Sequence, residues 1–311
     1  NLLGNIDMPS KVKIGNRWVG KGLPCYVVAE IGINHNGDLE NAKRLIDAAV
    51  RAGCDAVKFQ KRTPELCVPV EQRDVMRETP WGYITYMEYR HKMEFGEVEY
   101  REIDSYCSER SMTWFTSCWD VESVDFMERF DLPAYKIASA SLTDAELLRR
   151  LELTGRTLIL STGMSSMPQI RAAVKLLDVK NLIITHCTST YPGNLGELNL
   201  RMIDTLQREF NCPVGYSGHE TGLIPTVAAA VLGASLVERH ITLDRAQWGT
   251  DQSASVEPGG LERLIRYIHE AESALGDGIK QVYDSELPIM HKLRLRDTLE
   301  GSATQETAAS S

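Results

Sequence analysis

The sequence has no C-x-x-C pair, no basic amino-terminal run leading into an apolar one, and no uninterrupted apolar stretch long enough to cross a bilayer. Its seven cysteines (Cys25, Cys54, Cys67, Cys107, Cys118, Cys187 and Cys212) are odd in number and scattered. That argues against a disulfide framework or a structural zinc site and for a reducing compartment. The opening NLLGNIDMPS lacks the features of a secretory signal, so a cytoplasmic location is expected. The most apolar stretch, GLIPTVAAAVLGASLV (222–237), is interrupted by Pro225, Thr226, Gly233 and Ser235. It reads as a buried helix followed by a strand rather than a membrane span. Positive charge is also in short supply: 34 Lys and Arg against 43 Asp and Glu give a formal net charge of −9. Nucleic acid and anionic membranes are therefore not expected as partners, although a local basic pocket for a small anion remains open.

What is present repeats. Short β-branched or aromatic runs end in polar residues, and amphipathic helical segments follow them. The runs are 26–32, 55–60, 112–117, 134–139, 157–163, 182–188, 213–219 and 235–241; clear helices fall at 39–53, 144–155, 168–178 and 259–276. Eight strands, each followed by a helix, imply parallel strands with right-handed crossovers. The expected fold is α/β, a (β/α)8 barrel, with a doubly wound open sheet as the alternative. KVKIGNRWVG (11–20) reads as a β-hairpin turning at Gly15-Asn16, which could close the bottom of the barrel. The expected organisation is this N-terminal hairpin or cap over 1–23, the barrel over 24–293, and a disordered tail over 294–311. An insertion from Lys61 to Gly96 is expected to overhang the active face.

In a barrel, the carboxyl ends of the strands converge on one face. Here they carry Glu30, Lys58 with Gln60, Thr116 with Ser117, Lys136 with Ser139, Ser161 with Thr162, His186 with Thr188, Ser217 with His219, and Glu238 with His240. N-capping accounts for some of the hydroxyls. It does not account for two lysines within β-branched, aromatic strands, since a buried lysine is costly without an anion. Lys58 and Lys136 thus read either as ion-pair members or as a site for phosphate or carboxylate. A Schiff-base aldolase is the competing use of such a lysine. His219 and His240 end consecutive strands, where they are either structural or one divalent-metal site. Glu238 faces the same side as His240, as a partner to a ligand or in an ion pair with a barrel Lys or Arg. Asp251, in the polar loop 244–258, could bond a polyol, take up a proton, or be an ordinary loop residue.

AEIGINHNG (29–37), AVKFQ (56–60), YKIAS (135–139), ILSTGM (159–164), THCTSTYP (185–192), GYSGHE (215–220), ERHIT (238–242) and WGTDQSASVEP (248–258) together resemble the N-acetylneuraminate (sialic acid) synthases. The resemblance runs from about residue 24 to residue 293. It implies a TIM barrel and a transferase reaction in which phosphoenolpyruvate condenses with an open-chain N-acetylated hexosamine, N-acetylmannosamine foremost, releasing phosphate. Legionaminic- or pseudaminic-type synthases using a modified hexose are the alternative within the class. The resemblance places a divalent metal, usually manganese with magnesium or cobalt as substitutes, on His219 and His240. It places phosphoenolpyruvate on Lys58, Lys136, Ser117, Ser139, Ser161, Ser189 and Ser217. Glu30, Gln60, Tyr191 and Asp251 take sugar-facing positions, and Glu30, Lys58, Lys136 and Asp251 are the expected catalytic set. Three departures bear on the sugar. Bacterial members commonly continue into a small antifreeze-like domain that supplies an arginine to the partner subunit. This sequence ends near where that domain would begin, so a short or truncated form is expected, with homodimerisation implied by the resemblance. Ser141 stands where a glutamate is frequent, and Ser189 where some members have asparagine.

Overall fold

The computed structural model describes residues 11–296. The compact part runs to Ala274, and the segment from Leu275 onward forms a unit of its own. Within that second unit lie a one-turn 3-10 helix at Asp284–Glu286 and helix α11 at Leu287–Leu293. The tail expected to be disordered falls, from residue 297 onward, outside the described residues.

Eight parallel strands close in sequence order. They are β3 (Tyr26–Gly32), β4 (Ala56–Lys61), β7 (Thr113–Cys118), β8 (Ala134–Ile137), β9 (Thr157–Ser161), β10 (Leu182–Cys187), β11 (Val214–Gly218) and β12 (Leu236–His240), and β12 pairs back onto β3. The barrel, rather than the open sheet, is the solution this sequence takes. Each strand is followed by a principal helix: α1 (Leu39–Ala52), α4 (Glu97–Glu109), α5 (Val121–Met127), α6 (Ala145–Glu152), α7 (Met167–Val174), α8 (Met202–Glu209), α9 (Ile224–Val231) and α10 (Pro258–Leu275). Helix α1 shows how local sequence sets these boundaries. The Asp38 carboxylate accepts from the backbone N–H groups of Glu40 and Asn41, and Gly53 ends the helix in the left-handed conformation (φ 86°). Between the caps, Ala42, Leu45, Ile46 and Ala49 form one stripe that is completely buried. Leu45 and Ile46 each contribute roughly 1.5–3 kcal/mol of burial.

The insertion after β4 folds into helix α2 (Pro64–Cys67), the hairpin β5 (Met76–Thr79) and β6 (Gly82–Thr85), and helix α3 (Tyr86–Met93). It lies over the mouth as expected. Trp81 and the Lys92 carbonyl close on Gly37, and Tyr89 packs edge-on against Trp248 at 5.3 Å.

Strands β1 (Val12–Ile14) and β2 (Arg17–Val19) form the amino-terminal hairpin. Its Val12, Ile14 and Val19 pack with Val28, Ala56, Phe115, Ala134, Ile159, Ile183 and Leu236 into an apolar layer that seals one end of the barrel. Because side chains alternate along a strand, the next inward position comes two residues later. Those positions hold Glu30, Lys58, Ser117, Lys136, Ser161, Thr185 and Glu238. On seven of the eight strands the barrel interior therefore changes from hydrocarbon to a polar side chain within one residue pair, and on four of them that side chain is charged.

Candidate active site

Above the apolar layer lies a cavity of about 290 Å³. Its walls include Glu30, Lys58, Gln60, Ser117, Lys136, Ser139, Ser161, Ser189, Tyr191, Ser217, His219, Glu238 and His240, so all but one of the expected site residues meet at a single space. The exception, Asp251, stands beside it with its carboxylate 3.7 Å from His240 Nδ1. A larger groove of 710 Å³ between α1 and α10 brings together Glu262, Arg266, His269 and Glu270 on the outer surface without any buried charge, and it lacks the convergence of the barrel mouth.

The floor is a network of four buried charges. Lys136 Nζ donates to Glu238 Oε2 at 2.8 Å. Lys58 Nζ lies 2.8 Å from Glu30 Oε2 and 3.5 Å from Glu238 Oε1, and it donates to Ser117 Oγ at 2.8 Å. Of the two readings of Glu238, the ion pair with barrel lysines is the one formed. The lysines are accordingly ion-pair members as well. The two carboxylates are pushed apart in acidity. Burial raises Glu30, and Lys58, shared with Glu238, only partly offsets this. Burial acts on Glu238 too, but Lys136 and Lys58 outweigh it and hold that carboxyl down at about 2. Glu238 is thus the more acidic of the two carboxyls and Glu30 the less acidic, a difference of the kind that separates acid and base roles.

Hydroxyls line one wall. Ser139 Oγ accepts from the Gly163 N–H at 3.0 Å. A side chain on Gly163 would collide with Ser189 and Ser139, so this close approach requires glycine. Gln60 Nε2 donates to Glu30 Oε1 at 2.8 Å. Tyr191 tilts over His219 at 4.0 Å between ring centroids and meets His240 edge-on at 5.6 Å.

The rings of His219 and His240 are 5.4 Å apart. His219 Nδ1 meets the Thr188 carbonyl at 2.9 Å, and a carbonyl only accepts, so Nδ1 donates and Nε2 is the atom able to ligate. His240 is kept neutral by burial, its pKa brought down to about 3, and its Nδ1 is buried without a hydrogen-bond partner among the described residues. An orphaned neutral imidazole beside a fixed one, with a carboxylate near, suits a divalent cation. No group of three His, Cys, Asp or Glu suited to a metal occurs among the described residues. Two protein ligands would leave the other positions to water and substrate, as a catalytic rather than a structural metal requires.

Strand alternation corrects part of the expectation that every polar strand end faces the mouth. Thr116 and His186 have the opposite parity. Thr116 meets Cys118 at 3.6 Å, and His186 Nε2 meets the Leu198 carbonyl at 2.6 Å. Thr162 donates to the Thr185 carbonyl instead of facing substrate. Conversely, Trp119 and Cys187 line the cavity although sequence reasoning gave them no role there. Trp119 sits two residues beyond Ser117 and Cys187 two beyond Thr185, so the same alternation would have found both. Burial raises the Cys187 thiol, but contact of its Sγ with His219 Nδ1 at 3.8 Å more than offsets this and brings it below the usual thiol range.

The loop after β3 is held by residues that the sequence marked only as a motif. Asn34 Nδ2 donates to the Ile241 carbonyl and to Ser255 Oγ, both at 2.8 Å, and Ser255 Oγ donates to the Asp251 carbonyl, which fixes the Asp251 loop. His35 is buried, stacks on Phe95 at 4.2 Å and accepts the Gly37 N–H at 3.0 Å. Burial brings its pKa down to about 3. The folded protein thus refuses a proton that the unfolded chain accepts below about pH 6.5. Stability from His35 is complete above that pH and is lost as pH falls toward 3, at up to about 1.4 kcal/mol per pH unit. Replacing His35 with Phe should lower the slope of unfolding free energy against pH between about 4 and 6 by close to one proton. Denaturant titrations across that range read the slope directly, and an unchanged slope would show that His35 is protonated in the fold.

With the geometry in place, comparisons with known proteins agree with it. The profile of the NeuB family matches residues 45–280. Human N-acetylneuraminate-9-phosphate synthase is 39% identical over 293 residues, covering 92% of this chain and 81% of that protein. The N,N'-diacetyllegionaminic acid synthase of Legionella pneumophila is 33% identical over 289 residues, covering 90% of this chain and 81% of that one. The crystal structure of N-acetylneuraminic acid (sialic acid) synthetase from Leptospira borgpetersenii superposes with a TM-score of 0.80 at 30% identity, covering 93% of this chain and 99% of that one.

Proposed function

The chain belongs to the NeuB family, and we propose that it joins phosphoenolpyruvate to the open-chain form of an N-acetylated hexosamine, giving a sialic acid-type sugar acid and phosphate. The observation that carries this reading is the pair of buried lysines among hydroxyls, next to two imidazoles in the same small cavity. Lys58 and Lys136, with Ser117, Ser139, Ser161, Ser189 and Ser217, are suited to hold the phosphate and carboxylate of the donor in reacting geometry. Gln60, Tyr191, Glu30 and Asp251 face the acceptor.

In this reading C3 of phosphoenolpyruvate attacks the acceptor's aldehyde carbon. C2 captures water, and the resulting tetrahedral carbon collapses to a ketone as the bond to the phosphate oxygen breaks. His219 and His240 would hold a divalent cation, manganese in the first instance, which when bound polarises the aldehyde oxygen. Glu30, the less acidic of the two carboxyls, is the group suited to hand a proton to the alkoxide formed from that oxygen. Glu238 stays ionised and pairs with both lysines beneath the donor. N-acetylmannosamine is the leading acceptor, and modified hexoses of the legionaminic and pseudaminic type are the alternatives.

The test is phosphate release from phosphoenolpyruvate with manganese, across a panel of these sugars. Release should require both sugar and metal, fall at least about 100-fold with chelator, and return when manganese is restored. Turnover that ignores the chelator, together with borohydride trapping of a lysine adduct, would replace this reading with a Schiff-base lyase.

A further inference from the structure

Asp120 is a buried carboxylate that the reaction proposed above does not use. It is 8% exposed and follows Trp119 in the turn between β7 and α5. Five donors converge on it. Two come from α5, the Ser123 N–H at 2.7 Å and Ser123 Oγ at 2.8 Å, as at many helix N-caps. The other three come from the root of the insertion. The Thr63 N–H donates at 2.7 Å, Thr63 Oγ1 at 2.9 Å and Cys67 Sγ at 3.2 Å. Burial works against the charge on Asp120, but the donors from Thr63 and Ser123 outweigh it and hold the carboxyl below its ordinary range.

A cap for α5 does not call for the three contacts to the insertion. Thr63 stands at the N-cap position of α2, yet its side chain makes no capping bond there. Its hydroxyl is spent on Asp120 instead. The tie extends the sheet. Strands β4 and β7 pair as far as Lys61 with Cys118, and the Trp119 N–H donates to the Lys61 carbonyl at 3.1 Å just past that point. Continuing the register sets Thr63 opposite Asp120, so the carboxylate supplies a rung where the backbone ladder has ended.

What this rung holds is a wall of the cavity. Gln60 and Trp119 both line it. Arg62 joins them: it lies on the Trp119 ring at 3.7 Å, and its Nη2 donates to Gln60 Oε1 at 3.0 Å. Gln60 in turn donates to Glu30 at 2.8 Å. Lys58, deeper on the same strand, is anchored within the barrel by Ser117, Glu30 and Glu238. Releasing Asp120 therefore shifts the upper wall and leaves the floor in place.

We infer that Asp120 is a positioning residue for the acceptor. Its carboxylate latches the root of the insertion to the turn after β7, and so sets the wall made by Gln60 and Trp119 without touching substrate. The inference rests on the synthase reading for which substrate meets that wall.

Three variants separate the latch from the cap. Asp120→Asn keeps the shape but turns one acceptor into a donor facing donors. Thr63→Val removes the hydroxyl tie and leaves the α5 cap whole. Ser123→Ala removes a bond on the helix side and leaves every contact to the insertion. Amide exchange over residues 63–68, read by mass spectrometry, reports the latch without any substrate. Phosphate release with manganese, varying N-acetylmannosamine and phosphoenolpyruvate in turn, reports its effect. In Asp120→Asn, exchange should be at least about 10-fold faster. The KM for the sugar should rise at least about 10-fold while that for phosphoenolpyruvate stays within about 2-fold. Thr63→Val should move both measures the same way by about 3-fold, and it decides alone if Asp120→Asn does not fold. Ser123→Ala should lower the melting temperature and leave the ratio of the two KM values at that of wild type. Unchanged exchange in both latch variants would overturn the inference, as would faster exchange with the sugar KM unmoved. A matching rise in sugar KM in Ser123→Ala would reduce Asp120 to a helix cap and overturn it too. Wild type that releases no phosphate with any sugar would sink the synthase reading instead, and the exchange measurement would still decide the latch.

Discussion

Lys136→Met should lower kcat/KM for phosphate release by roughly 10²–10³-fold, the usual consequence of removing one preorganised contact to developing charge. It should also cost about 3–5 kcal/mol of folding stability, because it breaks a buried pair from one side. Both effects come from one contact. Lys136 is 2% exposed, Glu238 is 4% exposed, and the bond between them is 2.8 Å. Without the lysine, Glu238 retains among the described residues Lys58 at 3.5 Å and Ser217 at 3.4 Å. The two roles separate in the double variant Lys136→Met/Glu238→Gln. Neutralising the orphaned carboxylate should restore most of the stability but little of the activity. Phosphate-release kinetics and denaturant unfolding on the three proteins decide the matter. If activity returns along with stability, Lys136 is a structural counter-charge and the anion site lies elsewhere.

Arg239→Met should be at least as damaging to stability, by about 3–5 kcal/mol, although Arg239 faces away from the cavity. The side chain is 1% exposed. Its Nη1 donates to Glu220 Oε1 at 3.1 Å, to the Gly222 carbonyl at 2.9 Å and to Thr226 Oγ1 at 2.9 Å, and its Nη2 donates to the Glu220 carbonyl. Glu220 also accepts from the Tyr216 hydroxyl at 2.9 Å and from Thr226 at 2.7 Å. This network joins the chain just after His219 to the residue just before His240. Its loss should therefore loosen the spacing between the two imidazoles as well as the fold. Folded Arg239→Met is expected to hold manganese about 10–100-fold more weakly in competition with a chelator, the range found when groups supporting metal ligands are removed. Lysine should not substitute, since it offers one point charge where four acceptors are served. A loss of stability below 1 kcal/mol by denaturant titration would show that the network is dispensable.

Much of this site was legible because a barrel strand is a simple code. Val28 to Glu30, Ala56 to Lys58, Ala134 to Lys136 and Leu236 to Glu238 are each a step of two, and each step crosses from the sealed end into the cavity. The polar strand ends therefore identified the face and most of its residues before any coordinates. Two kinds of residue stayed hidden. Trp119 and Arg62 lie past the point where β-branched residues stop, so the strands were read one step too short. Arg239 and Glu220 act through contacts between β12 and the turn after β11, and nothing in either local pattern announces a partner some twenty residues away. The Asp251 position depends likewise on Asn34, more than two hundred residues distant along the chain and joined to its loop through Ser255. Charge patterning could propose Asp251 but not place it.

The hairpin at the sealed end has a consequence for traffic. Val12, Ile14 and Val19 close the far side of the barrel, so whatever reaches Lys136 must enter and leave past Tyr191 and Trp119. The vessel has one door and no back exit. In the proposed reaction a donor seated on the floor lysines would be admitted first, and an acceptor settling above it would become its stopper until the new bond is made. Order of entry would then follow from the shape of the vessel rather than from affinity.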